Sequence, residues 1–344
     1  MTSVPSCAAT RPAPRLALVL PCYNEEEVLP STIGQLSAKL VALVEARAIA
    51  PDSFALFVDD GSTDRTWRIV EETSRRDTRF QGVRLAHNRG HQNALLAGYG
   101  QVRGICDACV SMDADLQDDL DAVDAMVEAY RGGADIVFGV RDNRDADSGF
   151  KRGTARLFYR LMRWLGADTI DDHADFRLMD TAALEALAAY GERNLFLRGI
   201  VTDIGLSTER VYYTRKERMA GESKYPLPKM LSFALQGVTS FSIKPLHIIG
   251  VLGGIAVAIS IVAIVYSLIS WALGNAIDGW TTTVVSIWFL GGVQLICLAV
   301  LGEYVGKIYF EAKHRPRYLV QERTFEGDPQ VGDPFVSSVH VHDD

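Results

Sequence analysis

The chain has 344 residues, with 35 basic and 43 acidic side chains and a formal net charge of −8. This acidic balance argues against a general nucleic-acid-binding protein, and the five cysteines form no plausible disulfide framework. Hydrophobic residues make up 48% of the chain but become dense only after about residue 240, so we expect an α/β part followed by a membrane part.

Short apolar runs alternate with amphipathic patterns through the first part of the chain. Before them, residues 1–14 contain three prolines and no apolar core, which predicts a disordered arm and no signal peptide. The patterns then predict, in chain order, a strand over 16–20, a helix over 28–46, a strand over 54–58, a helix over 63–75, a strand over 82–85, a helix over 92–102, a strand over 108–112, a helix over 120–130 and a strand over 136–140. This alternation indicates an α/β fold, a mostly parallel sheet with helices on both faces.

Two aspartates follow the fourth predicted strand. Asp113 and Asp115 are one residue apart, a spacing at which both carboxylates can reach one hard divalent cation. Such a cation would neutralise a diphosphate, which indicates a nucleotide-activated donor. An isolated Asp-x-Asp can also be a solvated acidic turn. The other polar clusters also follow strands, and ligands of parallel sheets bind beyond the carboxyl ends of the strands, which favours the cation site.

Two long uncharged segments follow residue 240. Residues 246–273 and 281–302 contain no Asp, Glu, Lys or Arg, and each exceeds the roughly 20 residues of a bilayer-spanning helix. Basic residues flank the pair and are missing from the link 274–280, so the positive-inside rule places both termini in the cytoplasm. The expected order is a cytoplasmic domain over 15–225, an interfacial helix over 226–243, a two-helix transmembrane hairpin over 244–304 and a cytoplasmic tail over 305–344.

Six short motifs occur in a fixed order along the chain. They are Pro-Cys-Tyr-Asn-Glu-Glu (21–26), Val-Asp-Asp-Gly-Ser-Thr-Asp (58–64), Asn-Arg-Gly-His-Gln-Asn (88–93), Asp-Ala-Asp-Leu-Gln (113–117), Asp-Phe-Arg-Leu-Met-Asp (175–180) and Arg-Met-Ala-Gly-Glu-Ser-Lys-Tyr (218–225). Together they resemble the inverting family 2 glycosyltransferases, and most closely the polyprenyl-phosphate glycosyltransferases, such as dolichol-phosphate mannose synthase and its bacterial undecaprenyl-phosphate relatives. The resemblance covers roughly residues 16–320 and implies a GT-A-type, Rossmann-like fold.

The resemblance also implies the site residues. The nucleotide would be bound by Pro21, Tyr23, Glu25, Asp59, Asp60, Asp113 and Ala114. The diphosphate and the acceptor phosphate would be bound by Arg141, Arg152, Arg218, Ser223 and Lys224. Asp113 and Asp115 would bind Mg²⁺ or Mn²⁺, because oxygen ligands select a hard cation. Asp115 and Asp175 are the expected catalytic residues.

Several of these residues have other readings. Tyr23 can be a half-buried aromatic, and Asp59 and Asp60 can form a turn and helix cap. Asp175 can serve as a base, orient the acceptor or sugar, or simply pair with Arg177. The basic helix expected over 150–165 and the loop over 218–224 can bind anionic lipid instead of substrate phosphates.

The leading interpretation is an enzyme of the inner (plasma) membrane. It would transfer one sugar, with inversion, from a nucleotide diphosphate sugar of the uridine type to a polyprenyl (undecaprenyl) phosphate at the cytoplasmic face. The alternatives are transfer to another membrane lipid, such as diacylglycerol, or a non-catalytic membrane scaffold that binds nucleotide sugars. The resemblance also allows a homo-oligomer such as a tetramer.

Overall fold

The computed structural model describes residues 10–141, 173–191, 197–214, 244–273 and 279–325. They form two compact units. The sheet unit contains the described residues up to 214 together with those from His314 onward. The helical unit contains the described residues from Lys244 to Lys313.

The sheet unit is built on one eight-stranded sheet. Its strands are β1 (Leu16–Cys22), β2 (Phe54–Asp59), β3 (Phe80–Leu85), β4 (Ala108–Ser111), β5 (Ile136–Arg141), β6 (His173–Asp180), β7 (Thr208–Tyr213) and β8 (Val320–Arg323). They lie in the order β7-β5-β6-β4-β1-β2-β3-β8. Strand β6 runs antiparallel between β4 and β5, and β8 runs antiparallel to β3, while the other pairs are parallel. The sheet is therefore mixed but mostly parallel.

Six helices belong to the sheet unit, among the residues that the structure describes. They are α1 (Leu29–Glu45), α2 (Thr66–Arg76), α3 (His91–Val102), α4 (Ala122–Arg131), α5 (Thr181–Ala189) and α6 (Leu197–Asp203). Helix α1 begins with a proline in its first turn and buries one leucine stripe, Leu29, Leu36, Leu40 and Leu43.

Helices cover both faces of the sheet. The leucine stripe of α1 joins Leu18 and Leu20 of β1 in one core. Val19 points to the opposite face, where α3 approaches so closely that a Cβ at Gly98 would lie 2.4 Å from Val19 Cγ1. Successive residues of β1 are thus buried on opposite sides, as expected for a central parallel strand. This arrangement confirms the predicted α/β fold.

The structure differs from the sequence prediction at both ends of the sheet unit. A disordered arm was expected over 1–14, yet the Arg11 guanidinium pairs with Asp135 Oδ1 at 2.6 Å and stacks over the Tyr130 ring. A simple tail was expected over 305–344, yet residues 320–323 form strand β8 on β3. Both segments are held by partners distant in sequence, which local patterns do not reveal.

The helical unit consists of α7 (Lys244–Ala272) and α8 (Trp280–Ala312). By length and composition, one stretch of the described helices can cross a membrane, Phe289–Ala312 in α8, with a mean hydropathy of 1.6. It starts and ends later than the predicted span 281–302. Large apolar side chains of both helices are exposed, such as Val262 and Phe289 at 69% each, which is typical of a surface that contacts lipid. The predicted interfacial helix over 226–243 lies outside the described residues.

Candidate active site

The loops after β1 and β2 interlock. Asn24 adopts a left-handed backbone conformation (φ 55°), and its N–H donates to Ser62 Oγ at 2.9 Å. The next N–H, of Glu25, donates to Thr66 Oγ1 at 2.8 Å. Ser62 of the second motif and Thr66 of α2 therefore fix the first motif, and the Tyr23 ring projects from the joined loops with 44% of its surface exposed.

Asp59 and Asp60 stabilise this edge of the sheet from inside. The Asp60 carboxylate accepts hydrogen bonds from the N–H groups of Arg89 (2.7 Å) and Gly90 (2.8 Å). Asp59 is fully buried, accepts from the Ser62 N–H at 3.1 Å and lies 3.4 Å from Arg84 Nε. Burial raises the pKa of both carboxyls, and the donors that face them oppose this rise. Asp59 and Asp60 thus form the turn that was the alternative to nucleotide binding. A contact from either carboxylate to a nucleobase would use a lone pair that these hydrogen bonds leave available.

Two glycines let the loops after β2 and β3 meet. Gly61 has φ 71°, and a Cβ there would lie 2.6 Å from the carbonyl carbon of His87. Gly90 has φ 85° and directly precedes α3. The Asp60 carboxylate accepts a hydrogen bond from the N–H of Gly90. This contact fixes the backbone position at which α3 begins with His91.

His91 stands between two of the predicted site residues. Its Nε2 atom lies 3.8 Å from Asp113 Oδ1 and 3.5 Å from Asp175 Oδ2. No role was predicted for His91 from the sequence, although it lies in the third motif. The available signal was its position in the segment that follows the third predicted strand, at the same sheet edge as the aspartates.

The loop after β4 is a tight turn. Leu116 has φ 47°, and its N–H donates to the carbonyl of Asp113 at 3.2 Å. The Ala114 carbonyl accepts from Thr32 Oγ1 at 2.7 Å, and Asp115 Oδ2 accepts from Gln117 Nε2 at 2.5 Å. These contacts hold the paired carboxylates on a defined backbone.

The electrostatics around Asp113 favour a cation. Burial raises the pKa of Asp113, the neighbouring His91 lowers it, and the carboxylates of Asp118, Asp115 and Asp175 raise it again. The net direction of the pKa is upward, because the surroundings of Asp113 disfavour its negative charge relative to water, and a bound cation would offset this.

Strand β6 brings Asp175 to this cluster. Its register pairs Arg177 with Ser111, the last residue of β4, and the charge of Asp175 acts on the Asp113 carboxyl. Asp175 Oδ1 accepts from Arg177 Nη2 at 2.6 Å, and the Arg177 side chain is fully buried. The pairing of Asp175 with Arg177 is thus confirmed, and the other carboxylate oxygen faces His91.

Arg141 ends β5 beside the same cluster. The parallel pairing of β5 with β7 sets it next to Tyr213, and Arg141 Nε donates to Tyr213 Oη at 3.2 Å. Tyr213 Oη in turn donates to Asp118 Oδ1 at 2.5 Å, which lies 3.7 Å from Arg141 Nη2. Burial and the Asp118 carboxylate raise the pKa of Tyr213, so the phenol stays protonated as a donor. Asp118 and Tyr213 were not predicted as site residues.

The remaining predicted residues divide into two groups. Pro21 is buried within β1, opposite Val58 in the register of β2, so it shapes the strand end beneath Tyr23. Arg152, Arg218, Ser223 and Lys224 lie outside the described residues.

The chain's own residues fit a divalent cation that is shared with a substrate. In the part of the chain that the structure describes, no group of three or more His, Cys, Asp or Glu side chains is arranged to hold a metal ion alone. Asp113 and Asp115 offer two hard oxygen donors in a region of accumulated negative charge. Mg²⁺ commonly takes one or two carboxylates and completes its shell with water and substrate phosphates, so the pair suffices for such a site.

A mostly parallel sheet with carboxylates and an arginine gathered at its strand ends is the architecture of an α/β enzyme that acts at this edge. The chain belongs to glycosyl transferase family 2, since the family model described as "Glycosyl transferase family 2" matches residues 17–188. It is accordingly a glycosyltransferase, which confirms the resemblance seen in the sequence motifs.

Similar proteins extend the match along the chain. "Uncharacterized glycosyltransferase YkoT" of Bacillus subtilis (strain 168) is 49% identical over 307 residues, which cover 89% of this chain and 91% of that protein. "Bactoprenol glucosyl transferase" of Shigella phage SfX is 38% identical over 314 residues, 90% of this chain and 99% of that protein. Among solved structures, the mannosyltransferase PcManGT from Pyrobaculum calidifontis in complex with GDP-Man and Mn²⁺ is 16% identical with a TM-score of 0.42, over 86% of this chain and 89% of that one.

Proposed function

We propose that this enzyme transfers a single sugar from a nucleotide diphosphate sugar to a polyprenyl phosphate, with inversion at the anomeric carbon. The observation that carries the proposal is the convergence of Asp113 and Asp175 on His91, with Arg141 beside them. A donor diphosphate and an acceptor phosphate both need positive charge, and the site offers two sources: a cation on the aspartates and the guanidinium of Arg141. The relatives named bactoprenol glucosyl transferase support a polyprenyl acceptor and make glucose the first sugar to test.

On the donor side, Asp113 and Asp115 would hold Mg²⁺ or Mn²⁺. When bound, this cation would neutralise the charge that develops on the departing nucleoside diphosphate. The protein contributes a rigid turn, because Gln117 holds Asp115 and the backbone N–H of Leu116 closes the loop on Asp113. The exposed ring of Tyr23 is available to stack on the nucleobase, which we propose to be uracil.

On the acceptor side, a strong base is not required. The second pKa of a phosphate monoester is about 6, so much of the acceptor is a dianion at neutral pH. One of its oxygens attacks the anomeric carbon while the bond from that carbon to the diphosphate oxygen breaks, in a single in-line displacement. Asp175, fixed by its ion pair with the buried Arg177, orients the acceptor or the sugar. An α-linked donor then gives a β-linked lipid phosphate sugar.

We further propose that the C-terminal helices anchor the enzyme in the membrane as a two-span hairpin, with the sheet unit and both termini in the cytoplasm. The apolar stretch Phe289–Ala312 and the exposed apolar side chains of α7 and α8 support this placement. An anchor of this kind would confine the enzyme to the surface where a lipid acceptor presents its phosphate, which raises the effective concentration of that acceptor. A homo-oligomer stays part of the proposal.

The proposal is tested by reconstituting the full chain with undecaprenyl phosphate, Mg²⁺ or Mn²⁺ and a panel of labelled nucleotide sugars, beginning with UDP-glucose. We expect a lipid-linked monosaccharide phosphate from at least one donor. Undecaprenol and diacylglycerol serve as acceptors without a phosphate. Transfer to either of these but not to undecaprenyl phosphate would contradict the proposed acceptor. Nucleotide-sugar binding without product from any donor would favour the scaffold alternative.

A further inference from the structure

Arg141 is held by a small buried network. Tyr213 is its neighbour in the register of the parallel strands β5 and β7, so the two side chains leave the sheet at the same level. The Tyr213 ring is 4% exposed and packs edge-on against Phe176, with ring centroids 5.1 Å apart. Because this packing fixes the ring, the position of the phenol oxygen is fixed as well.

Asp118 supplies the negative charge of the network. Its side chain is 2% exposed, and burial of a carboxylate is costly unless the charge is paired and hydrogen-bonded. The Tyr213 hydroxyl donates to it at 2.5 Å, and Arg141 Nη2 lies 3.7 Å away. Asp118 and Tyr213 therefore restrain Arg141 through Nη2 and Nε, two different nitrogens of the same guanidinium.

The restrained guanidinium is accessible to a ligand. The Arg141 side chain is 32% exposed, and the Asp113 charge also acts on it. A long arginine side chain that two contacts already hold loses less conformational freedom on binding a phosphate than an unrestrained one. The network therefore lowers the entropic cost of phosphate binding. Such preorganisation acts at the point where an anion must approach the carboxylates of Asp113 and Asp175.

We infer that Tyr213 and Asp118 are positioning residues that orient Arg141 toward the phosphate of the lipid acceptor. The inference rests on the proposed transfer to a polyprenyl phosphate and assigns two residues to acceptor recognition. It makes acceptor affinity depend on a hydroxyl group that the acceptor itself does not contact.

The test compares the steady-state kinetics of the wild type and Tyr213→Phe, which keeps the ring and its packing on Phe176. We expect the KM for undecaprenyl phosphate to rise about tenfold, the loss of one hydrogen bond to a charged group, while kcat and the KM for the donor change by less than about twofold. The matched control is Tyr190→Phe, which deletes a hydroxyl that bonds Asp203 Oδ2 at 3.2 Å. This control should leave all three constants unchanged.

Asp118→Asn and a double-mutant cycle separate positioning from a general structural role. Asp118→Asn keeps an acceptor for the Tyr213 hydroxyl but loses the charge that attracts Arg141, and we expect the same selective rise in acceptor KM. In an Arg141→Ala background, Tyr213→Phe should have almost no further effect on acceptor KM, because its target is gone.

Three results would overturn the inference. One is an unchanged acceptor KM in folded Tyr213→Phe or, where that variant does not fold, in Asp118→Asn. Another is a fall in kcat and a rise in the donor KM that are as large as the rise in the acceptor KM. The last is a rise in acceptor KM that Tyr213→Phe causes to the same extent in the Arg141→Ala background as in the wild type. If the wild type gives no lipid-linked product with any donor, the proposed function fails first and the inference falls with it.

Discussion

The aspartates at the end of β2 contain the same chemical group as those after β4 and in β6, but in a different setting. Asp59 and Asp60 are buried, and they accept hydrogen bonds from backbone N–H groups, Asp59 within its own turn and Asp60 from the loop after β3. Asp113 and Asp175 face each other across His91, and Asp113 is 37% exposed. The carboxylates of Asp59 and Asp60 face donors of the protein itself, whereas Asp113 lies among the carboxylates of Asp115, Asp118 and Asp175, a concentration of negative charge that a ligand can neutralise. We propose that Asp59 and Asp60 form the framework of the site and that Asp113 and Asp175 belong to its reacting centre.

The largest effect is expected from Asp113→Asn. Transfer activity should fall about 10²- to 10³-fold, because one of the two carboxylates proposed to hold the cation is lost. The thermal midpoint should stay the same or rise slightly, since the pKa of Asp113 is raised and the folded protein gains by losing that charge. Product formation and a thermal shift measured on one preparation check both parts. A large drop in the midpoint would assign Asp113 to the framework.

The opposite profile is expected from Asp60→Ala. Two backbone N–H groups, of Arg89 and Gly90, lose their acceptor, which should destabilise the sheet unit by about 1–3 kcal/mol. Transfer activity should decline together with stability, because the loop that positions His91 loses two of its hydrogen bonds. Thermal unfolding and transfer rates at several temperatures make the comparison. Wild-type stability with no donor binding would show that Asp60 contacts the nucleotide directly.

His91→Ala sharpens the comparison at the residue between the two carboxylates. We expect kcat to fall about 10- to 100-fold, because Asp113 and Asp175 lose the imidazole that lies between them. The exposed His87, on the same loop, gives a matched control as His87→Ala, which should retain activity. Equal effects of the two substitutions on kcat would show that His91 is not part of the site.

The smallest effect is expected at the edge strand β8. Trp67 Nε1 donates to Glu322 Oε2 at 2.7 Å, and the same carboxylate lies 3.5 Å from Arg84 Nη1. Glu322→Gln keeps an acceptor for Trp67 but loses the charge, so it should lower stability by only about 0.5–1 kcal/mol and leave transfer unchanged. A selective loss of transfer would connect β8 to the reacting centre.

The sequence predicted the parts of the fold that local patterns determine. Strands β1 to β5 are short apolar runs beside helical repeats, and each was placed within a few residues. Strand β6 reads His-Ala-Asp-Phe-Arg-Leu-Met-Asp, in which half of the residues are polar, so its place between β4 and β5 depends on long-range pairing that periodicity does not encode. Strand β8 is a four-residue segment after a long helix, and it forms only because β3 offers an edge.

The site divides in the same way. The positions of Asp113 and Asp115 followed from spacing at a strand end, whereas Asp175 came only from the resemblance. Tyr213 and Asp118 were missed because their contact with Arg141 requires the pairing of β5 with β7. The restraint of a guanidinium by a buried phenol is visible only in three dimensions.

The most direct measurement of the central claim is Mn²⁺ binding, followed by the electron paramagnetic resonance signal of the free ion, with and without UDP. Two carboxylates hold a cation weakly alone, so UDP should tighten Mn²⁺ binding to the wild type at least about tenfold beyond the Mn²⁺–UDP association in buffer. Asp113→Asn should lose this coupling. Equal Mn²⁺ binding by the wild type and Asp113→Asn in the presence of UDP would contradict the account.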